Sequence, residues 1–250
     1  MRIQILGCGV VGMATADGLR RFGHDLILVD VDEEKVAKLG EEGWDACVKS
    51  RDAEIHFVCV PEGRVEEVIG NLGRVHGLIV VRSSVEPGTC KALSEKYLRH
   101  ICSNPEFLKA ATALWDFLNP DKIVIGECCE EHGDLLESLY EPLRAPIVRV
   151  DSATAEMVKM ATNAYLATQI SFWNTVHSIC GKAGVNSHVV GKVCALDSRI
   201  TIYGASQHGR SYGGYCLPKD LDHLMEYSEA VGYDPLLLRA VKEVNDECVS

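Results

Sequence analysis

The chain has 250 residues, which is enough for one large domain or two smaller ones with a substantial core. Its 47% hydrophobic and 24% charged residues are typical of a soluble globular protein. The formal net charge of −11 argues against nucleic acid or an anionic membrane as a partner, since both attract basic surfaces.

Short apolar runs alternate with helical patterns through the first 150 residues. Continuous Val, Ile and Leu runs are typical of parallel strands that are buried on both faces. The predicted strands are Ile3–Leu6, Leu26–Val29, Ile55–Val60, Leu78–Val81, Ile123–Ile125 and Ile147–Val150. The predicted helices between them are Val11–Phe22, Glu33–Leu39, Cys90–Leu98 and Leu135–Tyr140. This alternation predicts a Rossmann-type, doubly wound α/β domain over residues 1–150.

Residues 151–250 have an almost entirely helical pattern, which predicts a second, all-helical domain. A long helix is predicted from Ser152 or Thr154 to about Lys182, because Ser and Thr cap helix N-termini and the glycine at 184 can end the helix. Its stretch 161–176 carries no charge, so we expect it to be buried all round and to form a homodimer through the 152–183 helix. Shorter helices are predicted over Ser187–Ala195, Lys219–Ala230 and Pro235–Asp246.

The 11 cysteines are scattered, with no CxxC pair and no His/Cys cluster at metal-ligand spacing. This odd number and pattern indicate a reducing compartment rather than a disulfide framework. The first residues, MRIQILGCG, run directly into a predicted strand without the layout of a signal peptide. The longest charge-free run contains too many polar residues to span a bilayer. We therefore expect a cytoplasmic protein with no bound metal and no membrane partner.

The sequence GCGVVG, residues 7–12, follows the first predicted strand and opens the first predicted helix. Its glycines would let a pyrophosphate approach the backbone at the positive end of that helix. Asp30 ends the second predicted strand, 18 positions after Gly12, which is close to the spacing of a ribose-binding acid. Its carboxylate would accept a ribose 2′-hydroxyl and repel a 2′-phosphate, so we expect NAD rather than NADP. The predicted cofactor-binding residues are Gly7, Gly9, Val10, Val11, Gly12, Asp30 and Lys35.

Cys216 follows a pair of glycines and precedes Leu-Pro-Lys-Asp. Pro218 is predicted to be the first residue of a helix, with Asp220 in its first turn, where a carboxylate suits the helix dipole. A thiol just ahead of a helix N-terminus has a lowered pKa, and Gly213 would let a substrate approach closely. These features make Cys216 a candidate nucleophile, although most free cysteines are simply small buried hydrophobic residues.

Lys159 and Asn163 lie four residues apart on the long predicted helix and therefore share a face. That face continues with Leu166, Ile170 and Trp173, so Lys159 is in line with an apolar stripe. A buried amine beside an amide can hold and deprotonate a hydroxyl group, or stabilise an oxyanion, during the dehydrogenation of an alcohol. The alternative is that Lys159 lies in the first turns and extends to solvent.

With these residues in place, the chain resembles the nucleotide-sugar dehydrogenases. The matching motifs occur in the family's order across nearly the whole chain: GCGVVG (7–12), RSSVEPG (82–88), SNPEFL (103–108), NPDKIVIG (119–126), AEMVKMATNAYLATQISFWN (155–174) and YGGYCLPKD (212–220). The resemblance implies an NAD-binding domain, a helical domain that dimerises, and a nucleotide sugar as substrate. It also implies two NAD-dependent oxidations of the sugar C6 alcohol to a carboxylate, with UDP-glucose as the expected substrate.

The resemblance further implies roles for individual residues. Cys216 would capture the intermediate aldehyde as a thiohemiacetal that becomes a thioester. Lys159 and Asn163 would stabilise the C6 oxygen, and Asp220 would handle its proton together with Lys159. Two further catalytic positions follow from the same motifs: Glu106 would orient or activate water, and Ser84 is a hydroxyl residue that would also contact the cofactor. The substrate-binding residues implied by the resemblance are Glu106, Phe107, Leu108, Lys159, Asn163, Gly213 and, across the dimer, Arg199.

The chain departs from the family pattern at several points. Ala110 stands where a second acid is usual, and Thr201 stands where glycine is usual. The sequence ends shortly after Asn245, where the family continues into a third, nucleotide-binding domain, so a separate nucleotide-binding chain is one expected partner. Two alternative functions stay open: a non-catalytic, dimerising NAD-binding remnant, and a one-step hydroxyacid dehydrogenase, which would have no use for Cys216.

Overall fold

A computed structural model of the chain describes residues 1–73 and 75–248. The chain divides into two compact units, Met1–Lys159 and a second unit that begins at Met160. The predicted division into domains, 1–150 and 151–250, stays a prediction.

The first unit contains a mixed sheet whose strands are in the order β3-β2-β1-β4-β5-β6-β7-β8. All neighbouring strands are parallel except β6 and β7, which are antiparallel through the single pair Ser103↔Gly126. The strands are β1 (Arg2–Leu6), β2 (Asp25–Val29), β3 (Asp45–Cys47), β4 (Ile55–Val58), β5 (Leu78–Val81), β6 (Ile101–Ser103), β7 (Ile123–Glu127) and β8 (Ile147–Asp151). The predicted α/β class and Rossmann-type sheet are therefore confirmed, with one reversal of strand direction.

Helices connect these strands, as the alternating sequence pattern predicts. They are α1 (Val10–Arg21), α2 (Glu33–Glu41), α3 (Val65–Asn71), α4 (Thr89–Tyr97), α5 (Ala113–Leu118) and α6 (Glu130–Tyr140), followed by the long helix α7 (Ser152–Ala183), which continues into the second unit. Four elements were not predicted from the sequence: α3, α5, β3 and β6. All four are short, and the two strands have only three residues each, which is too few for hydrophobic periodicity to identify them.

Side chains from the strands alternate between two hydrophobic clusters, because successive residues of a strand point to opposite faces of a sheet. Ile3, Ile5 and Phe57 belong to one cluster, whereas Leu6 and Val58 belong to the other. All five are less than 5% exposed. Burial on both faces explains why these strands have continuous apolar runs instead of alternating polar and apolar residues.

The second unit is helical and has a small core of its own. Beyond the α7 residues, its helices are α8 (Ser187–Cys194), α9 (Ile202–Gln207), α10 (Cys216–Ala230) and α11 (Leu236–Glu247). Ala164, Ala167 and Ile170 of α7 form a buried cluster with Tyr212 and residues of α10 and α11. Only α9, with six residues, was not predicted.

The charge-free part of α7 is buried on one side only. Tyr165 and Phe172 are 61% and 59% exposed, and Ile179, just beyond the stretch, is 60% exposed, while Ala167 and Trp173 are buried. One side of the helix therefore lies outside the core of its own unit, and the expectation that a dimer buries this stretch all round stays a prediction. Within the described residues, no helix combines the length and the apolar character needed to cross a membrane.

Candidate functional site

The nucleotide loop lies between β1 and α1, with Gly9 as the residue that precedes the helix. Gly7 has a φ of +95°, and a Cβ there would lie 2.6 Å from the carbonyl oxygen of Cys59. A Cβ at Gly12 would lie 1.9 Å from the carbonyl oxygen of Gly7. These two glycines are therefore required by the chain itself.

Gly9 differs from the other two glycines of the loop. It has a φ of −80°, which any residue can adopt, and a Cβ there would meet nothing within 4 Å. The chain itself thus gives no reason for a glycine at this position. Open space above a helix N-terminus suits a phosphate that approaches the backbone, so the residues present fit a dinucleotide.

Asp30 directly follows β2 and lies next to the nucleotide loop. Its carboxylate accepts hydrogen bonds from the backbone N–H of Cys8 at 2.9 Å and of Asp32 at 3.1 Å. The Lys35 ammonium also donates to it, with Nζ 2.9 Å from Oδ2. Burial raises the pKa of Asp30, but the hydrogen bonds from Lys35 and the two amides outweigh it, so the pKa is lowered. Asp30 is therefore a charged acceptor beside the predicted cofactor site, and Lys35 contacts that acceptor directly.

Lys159 is buried, with 3% exposure, so the alternative in which it extends to solvent is wrong. Its Nζ donates to the backbone carbonyl of Glu106 at 2.6 Å and lies 3.0 Å from Oε1 of the same residue. The other carboxylate oxygen of Glu106 accepts the N–H of Leu108 at 2.6 Å. The ring of Phe107 lies under the ammonium, with its centroid 5.5 Å from Nζ. Two predicted substrate-binding residues, Glu106 and Phe107, therefore contact the predicted catalytic lysine, and a third, Leu108, holds the Glu106 carboxylate.

Helix α10 begins two residues earlier than predicted, at Cys216, so Cys216 lies in the first turn instead of ahead of the helix. Pro218 is the third helical residue, which is compatible with a helix because the first N–H groups have no intrahelical acceptor. Asp220 is the fifth helical residue and not in the first turn, so the predicted dipole role for its carboxylate is wrong.

Asp220 is completely buried and forms two polar contacts within the second unit. The Asn163 side-chain amide donates to one carboxylate oxygen, and the Lys219 ammonium donates to the other. Cys216 lies four residues before Asp220 on α10, which places the two side chains on the same helix face. Cys216 itself is exposed and is not part of a disulfide. The structure thus brings together Asn163 and Asp220 and places an accessible thiol one turn along α10.

The remaining predicted residues lie at the surface or on loops. Ser84 is half-buried, three residues beyond the end of β5. Gly213 is exposed, with nothing within 4 Å of a built Cβ, which is compatible with close approach of a ligand. The Arg199 side chain is 85% exposed and forms an ion pair with Asp197 at 2.6 Å, so its predicted role in binding substrate across a dimer stays a prediction.

Glu156 is a buried acid that the sequence analysis missed. It is 1% exposed, and its carboxylate accepts the backbone N–H groups of Gly88 at 2.6 Å and Cys90 at 2.9 Å. It therefore caps the first turn of α4 and holds the end of the RSSVEPG motif against α7. The AEMVK stretch that contains it gave no signal, because the residues that it caps lie 66 and 68 positions earlier.

The structure also brings together a group of His and Cys side chains that the sequence spacing did not indicate, while the expectation of no bound metal stays a prediction. His100, Cys128, Cys129 and His132 place four potential metal-ligand atoms within 4.8 Å of one another. Only His132 is near the two cysteines in sequence, so the complete set could not be recognised from spacing.

Two family models match this chain. The NAD binding domain of the UDP-glucose/GDP-mannose dehydrogenase family matches residues 1–47 and 45–144, and the central domain of the same family matches residues 153–247. The chain belongs to the UDP-glucose/GDP-mannose dehydrogenase family. This confirms the predicted dehydrogenase family and the predicted NAD-binding domain, with NAD as its cofactor.

Individual members of the family align with nearly all of the chain. The UDP-glucose 6-dehydrogenase of Haloferax volcanii is 32% identical over 302 residues, which cover 98% of this chain and 70% of that protein. A UDP-glucose 6-dehydrogenase of Bacillus subtilis is 30% identical over 294 residues, which cover 98% and 66%. The structure of a UDP-glucose dehydrogenase from Pyrobaculum islandicum superimposes with a TM-score of 0.92 at 28% identity, covering 98% of this chain and 68% of that one. The chain therefore spans about two thirds of the length of these relatives.

Proposed function

We propose that this chain carries the NAD-binding and catalytic parts of a nucleotide-sugar 6-dehydrogenase. The reaction would oxidise the C6 alcohol of the sugar to a carboxylate, with UDP-glucose to UDP-glucuronate as the first candidate. The observation that carries the proposal is the buried Asn163–Asp220 pair with the exposed Cys216 thiol one helical turn away. Family membership and the names of the relatives support the same reaction class.

The nucleotide loop would hold the cofactor. Gly9 leaves room for the pyrophosphate at the α1 N-terminus, and Asp30 would accept a hydroxyl of the adenosine ribose. When bound, NAD⁺ would supply the hydride acceptor, with one NAD⁺ molecule reduced to NADH in each of the two oxidations. Lys35 would have to share Asp30 with the ribose, which its 40% exposed side chain allows.

Lys159 and Asn163 would act on the C6 oxygen. An ammonium group has three N–H donors, and Lys159 directs two of them to Glu106. We propose that the third is directed to the C6 oxygen, where a positive charge favours loss of the hydroxyl proton and stabilises the oxyanion. Asn163 follows one turn later on α7, and its amide would add a second donor.

Cys216 would make the second oxidation possible. Its thiolate adds to the C6 aldehyde left by the first oxidation, which forms a C–S bond and gives a thiohemiacetal after the oxygen takes up a proton. Loss of a hydride from C6 and a proton from that oxygen converts the thiohemiacetal to a thioester. Water then attacks the thioester carbonyl, the C–S bond breaks, and the carboxylate and the thiol are released. Glu106 would orient this water.

The test is the number of NADH molecules formed per nucleotide sugar. The unmutated chain is offered UDP-glucose, GDP-mannose and UDP-N-acetylmannosamine, and absorbance of NADH is compared with the carboxylate measured by mass spectrometry. We expect two NADH per carboxylate with one of these sugars. Cys216→Ser should retain NAD binding but produce no carboxylate, whereas Cys194→Ser, on α8, should behave like the unmutated chain. One NADH per turnover with a hydroxyacid, or NAD binding without turnover of any substrate, would contradict the proposal.

We also propose that the chain forms a homodimer through α7. The exposed residues Tyr165, Phe172 and Ile179 are spaced by seven, which aligns them along one side of a helix. Three large apolar side chains in a row, each about three-fifths exposed, favour burial against another surface. A second α7 offers the same stripe, so a two-fold pairing would bury both.

A further inference from the structure

A compact group of histidine and cysteine side chains lies in the first unit, on residues that the proposed reaction does not use. The Nδ1 atom of His132 is 3.0 Å from Sγ of Cys129 and 3.4 Å from Sγ of Cys128. The Nδ1 atom of His100 is 3.9 Å from Sγ of Cys128, and the two imidazole rings have centroids 4.6 Å apart. All four ligand atoms lie within 4.8 Å of one another.

The sheet explains how these residues come together. Strands β6 and β7 run antiparallel, with Ser103 opposite Gly126. His100 lies three residues before Ser103, and Cys129 lies three residues after Gly126, so antiparallel pairing places them side by side. Cys129 directly precedes α6, and His132 is the third residue of that helix, which returns its imidazole to the two thiols.

We propose that His100, Cys128, Cys129 and His132 form a structural zinc site. Two thiolates and two imidazoles are a common ligand set for tetrahedral Zn²⁺. At Zn–S and Zn–N lengths of about 2.3 and 2.0 Å, tetrahedral ligand atoms are separated by about 3.3 to 3.8 Å. Three of the separations, 3.0 to 3.9 Å, are close to this range and the others do not exceed 4.8 Å, so shifts of about an ångström or less would complete the shell.

The surroundings of Cys128 favour a thiolate ligand. The buried thiol of Cys102 donates a hydrogen bond to Sγ of Cys128 at 3.5 Å. The Nδ1 atoms of His100 and His132 contact the same sulfur, at 3.9 and 3.4 Å. Cys102 would therefore act as a second layer around the metal, holding the ligand thiolate in place.

The position of the cluster indicates a structural role. Strand β6 is parallel to β5, so His100, which precedes β6, lies at the amino-end edge of the parallel strands. The nucleotide loop follows β1 and therefore lies at the carboxyl-end edge, where cofactors bind in such sheets. The metal would instead join β6, β7 and α6 where the sheet ladder has only one residue pair.

Metal analysis of the reduced chain tests the proposal. The protein is stripped with a chelator, reloaded with Zn²⁺, dialysed and measured by mass spectrometry of the metal. We expect one Zn²⁺ per chain, and Co²⁺ loading should give the visible absorption bands of a tetrahedral site with thiolate ligands. Zinc should also slow hydrogen exchange at the amides of 101–103 and 123–128, as expected of a metal that joins these strands.

Two variants and a matched control keep the test decisive. His100→Gln changes an exposed side chain, so folding should be retained while zinc binding weakens at least about tenfold. Cys129→Ser should abolish the cobalt bands. Cys194→Ser combined with His188→Gln removes one cysteine and one histidine from the second unit and should keep one metal per chain. Less than stoichiometric zinc in the unmutated chain, equal loading of the His100→Gln variant, or a Cys102–Cys128 disulfide that forms in place of the metal would overturn the assignment.

Discussion

Replacing Asp30 with alanine should narrow the preference for NAD over NADP. The carboxylate is the charged acceptor beside the nucleotide loop, and its side chain is only 10% exposed. Losing a hydrogen bond to a charged acceptor costs about 1.5–3 kcal/mol, so NAD should bind roughly 10- to 150-fold more weakly. A 2′-phosphate about 5 Å from the carboxylate would be repelled by about 3 kcal/mol per unit charge at an effective dielectric constant of 20. The change should relieve most of that repulsion for NADP.

Lys35 allows the reasoning to be tested more sharply, because its ammonium contacts the same carboxylate. If Lys35 acts only by offsetting the charge of Asp30, Lys35→Met should weaken NADP binding in the unmutated background and have no effect once Asp30 is alanine. If Lys35 binds a 2′-phosphate directly, the weakening should persist in the double variant.

Both cofactors are titrated by isothermal calorimetry or by protein fluorescence at one fixed salt concentration. Asp32→Ala is the matched control: its carboxylate caps α2 through the N–H of Lys35, so it should cost about 1 kcal/mol of stability without changing the ratio of the two affinities. Tighter binding of NADP than of NAD by the unmutated chain, or an unchanged ratio in Asp30→Ala, would refute the argument.

Three further predictions concern the rest of the chain. Burial raises the folded-state pKa of Glu156 above its ordinary 4.5, and the hydrogen bonds from Cys90 oppose this only in part. The folded state therefore favours the protonated carboxyl group, so the contribution of Glu156 to stability is present below pH 4.5 and is lost as pH rises through the folded-state pKa. Urea unfolding should therefore show Glu156→Gln gaining stability relative to the unmutated chain as pH rises over that interval; a constant difference would be inconsistent with a raised pKa. Phe172→Glu should convert the dimer to a monomer, as measured by light scattering at micromolar concentration. The control is Thr154→Glu, at another exposed position of α7, which should stay dimeric. A monomeric unmutated chain would rule out the pairing. In limited iodoacetamide alkylation, nucleotide sugar should protect Cys216. The measurement uses a Cys128→Ser background, which removes another exposed thiol, and lack of protection would argue against Cys216 as the nucleophile.

Cys8 lies in the nucleotide loop, but it cannot serve as an internal control for cofactor binding in this experiment. Cys8 is 6% exposed, and burial together with the Asp30 charge raises its pKa to about 12. Its thiol should hardly react with or without NAD. A cysteine in a nucleotide loop is thus no guide to reactivity until its burial is known.

The sequence predicted the parts of the fold that local patterns determine. The six longer strands and α7 have hydrophobic runs, caps and glycines that agree with one another. The start of α10 was misplaced because Pro218 is tolerated anywhere in the first turn, so it marks a helix start only to within two residues. The strand β6 was not predicted because its three residues, one of them Ser103, are too few to show hydrophobic periodicity.

The candidate site was predictable where its residues share one helix, and was not where distant segments meet. Lys159 and Asn163 were identified from their spacing alone, but the contact of Lys159 with Glu106 joins residues 53 positions apart. The His100 contribution to the metal cluster depends on one antiparallel strand pair, which no local pattern reveals. The contacts of Glu156 with Gly88 and Cys90 also join distant segments of the chain.

The open space around Gly9 has a consequence for how natural variants of this chain should be judged. A methyl group at Gly9 fits both the backbone and the empty volume, so Gly9→Ala should be produced at normal abundance and melt normally while losing its cofactor. The same substitution at Gly12 would place its methyl carbon 1.9 Å from a carbonyl oxygen and should lower abundance through misfolding. Two glycines of one motif would thus fail for different reasons, and a screen that scores only protein level would pass the variant that cannot bind its cofactor.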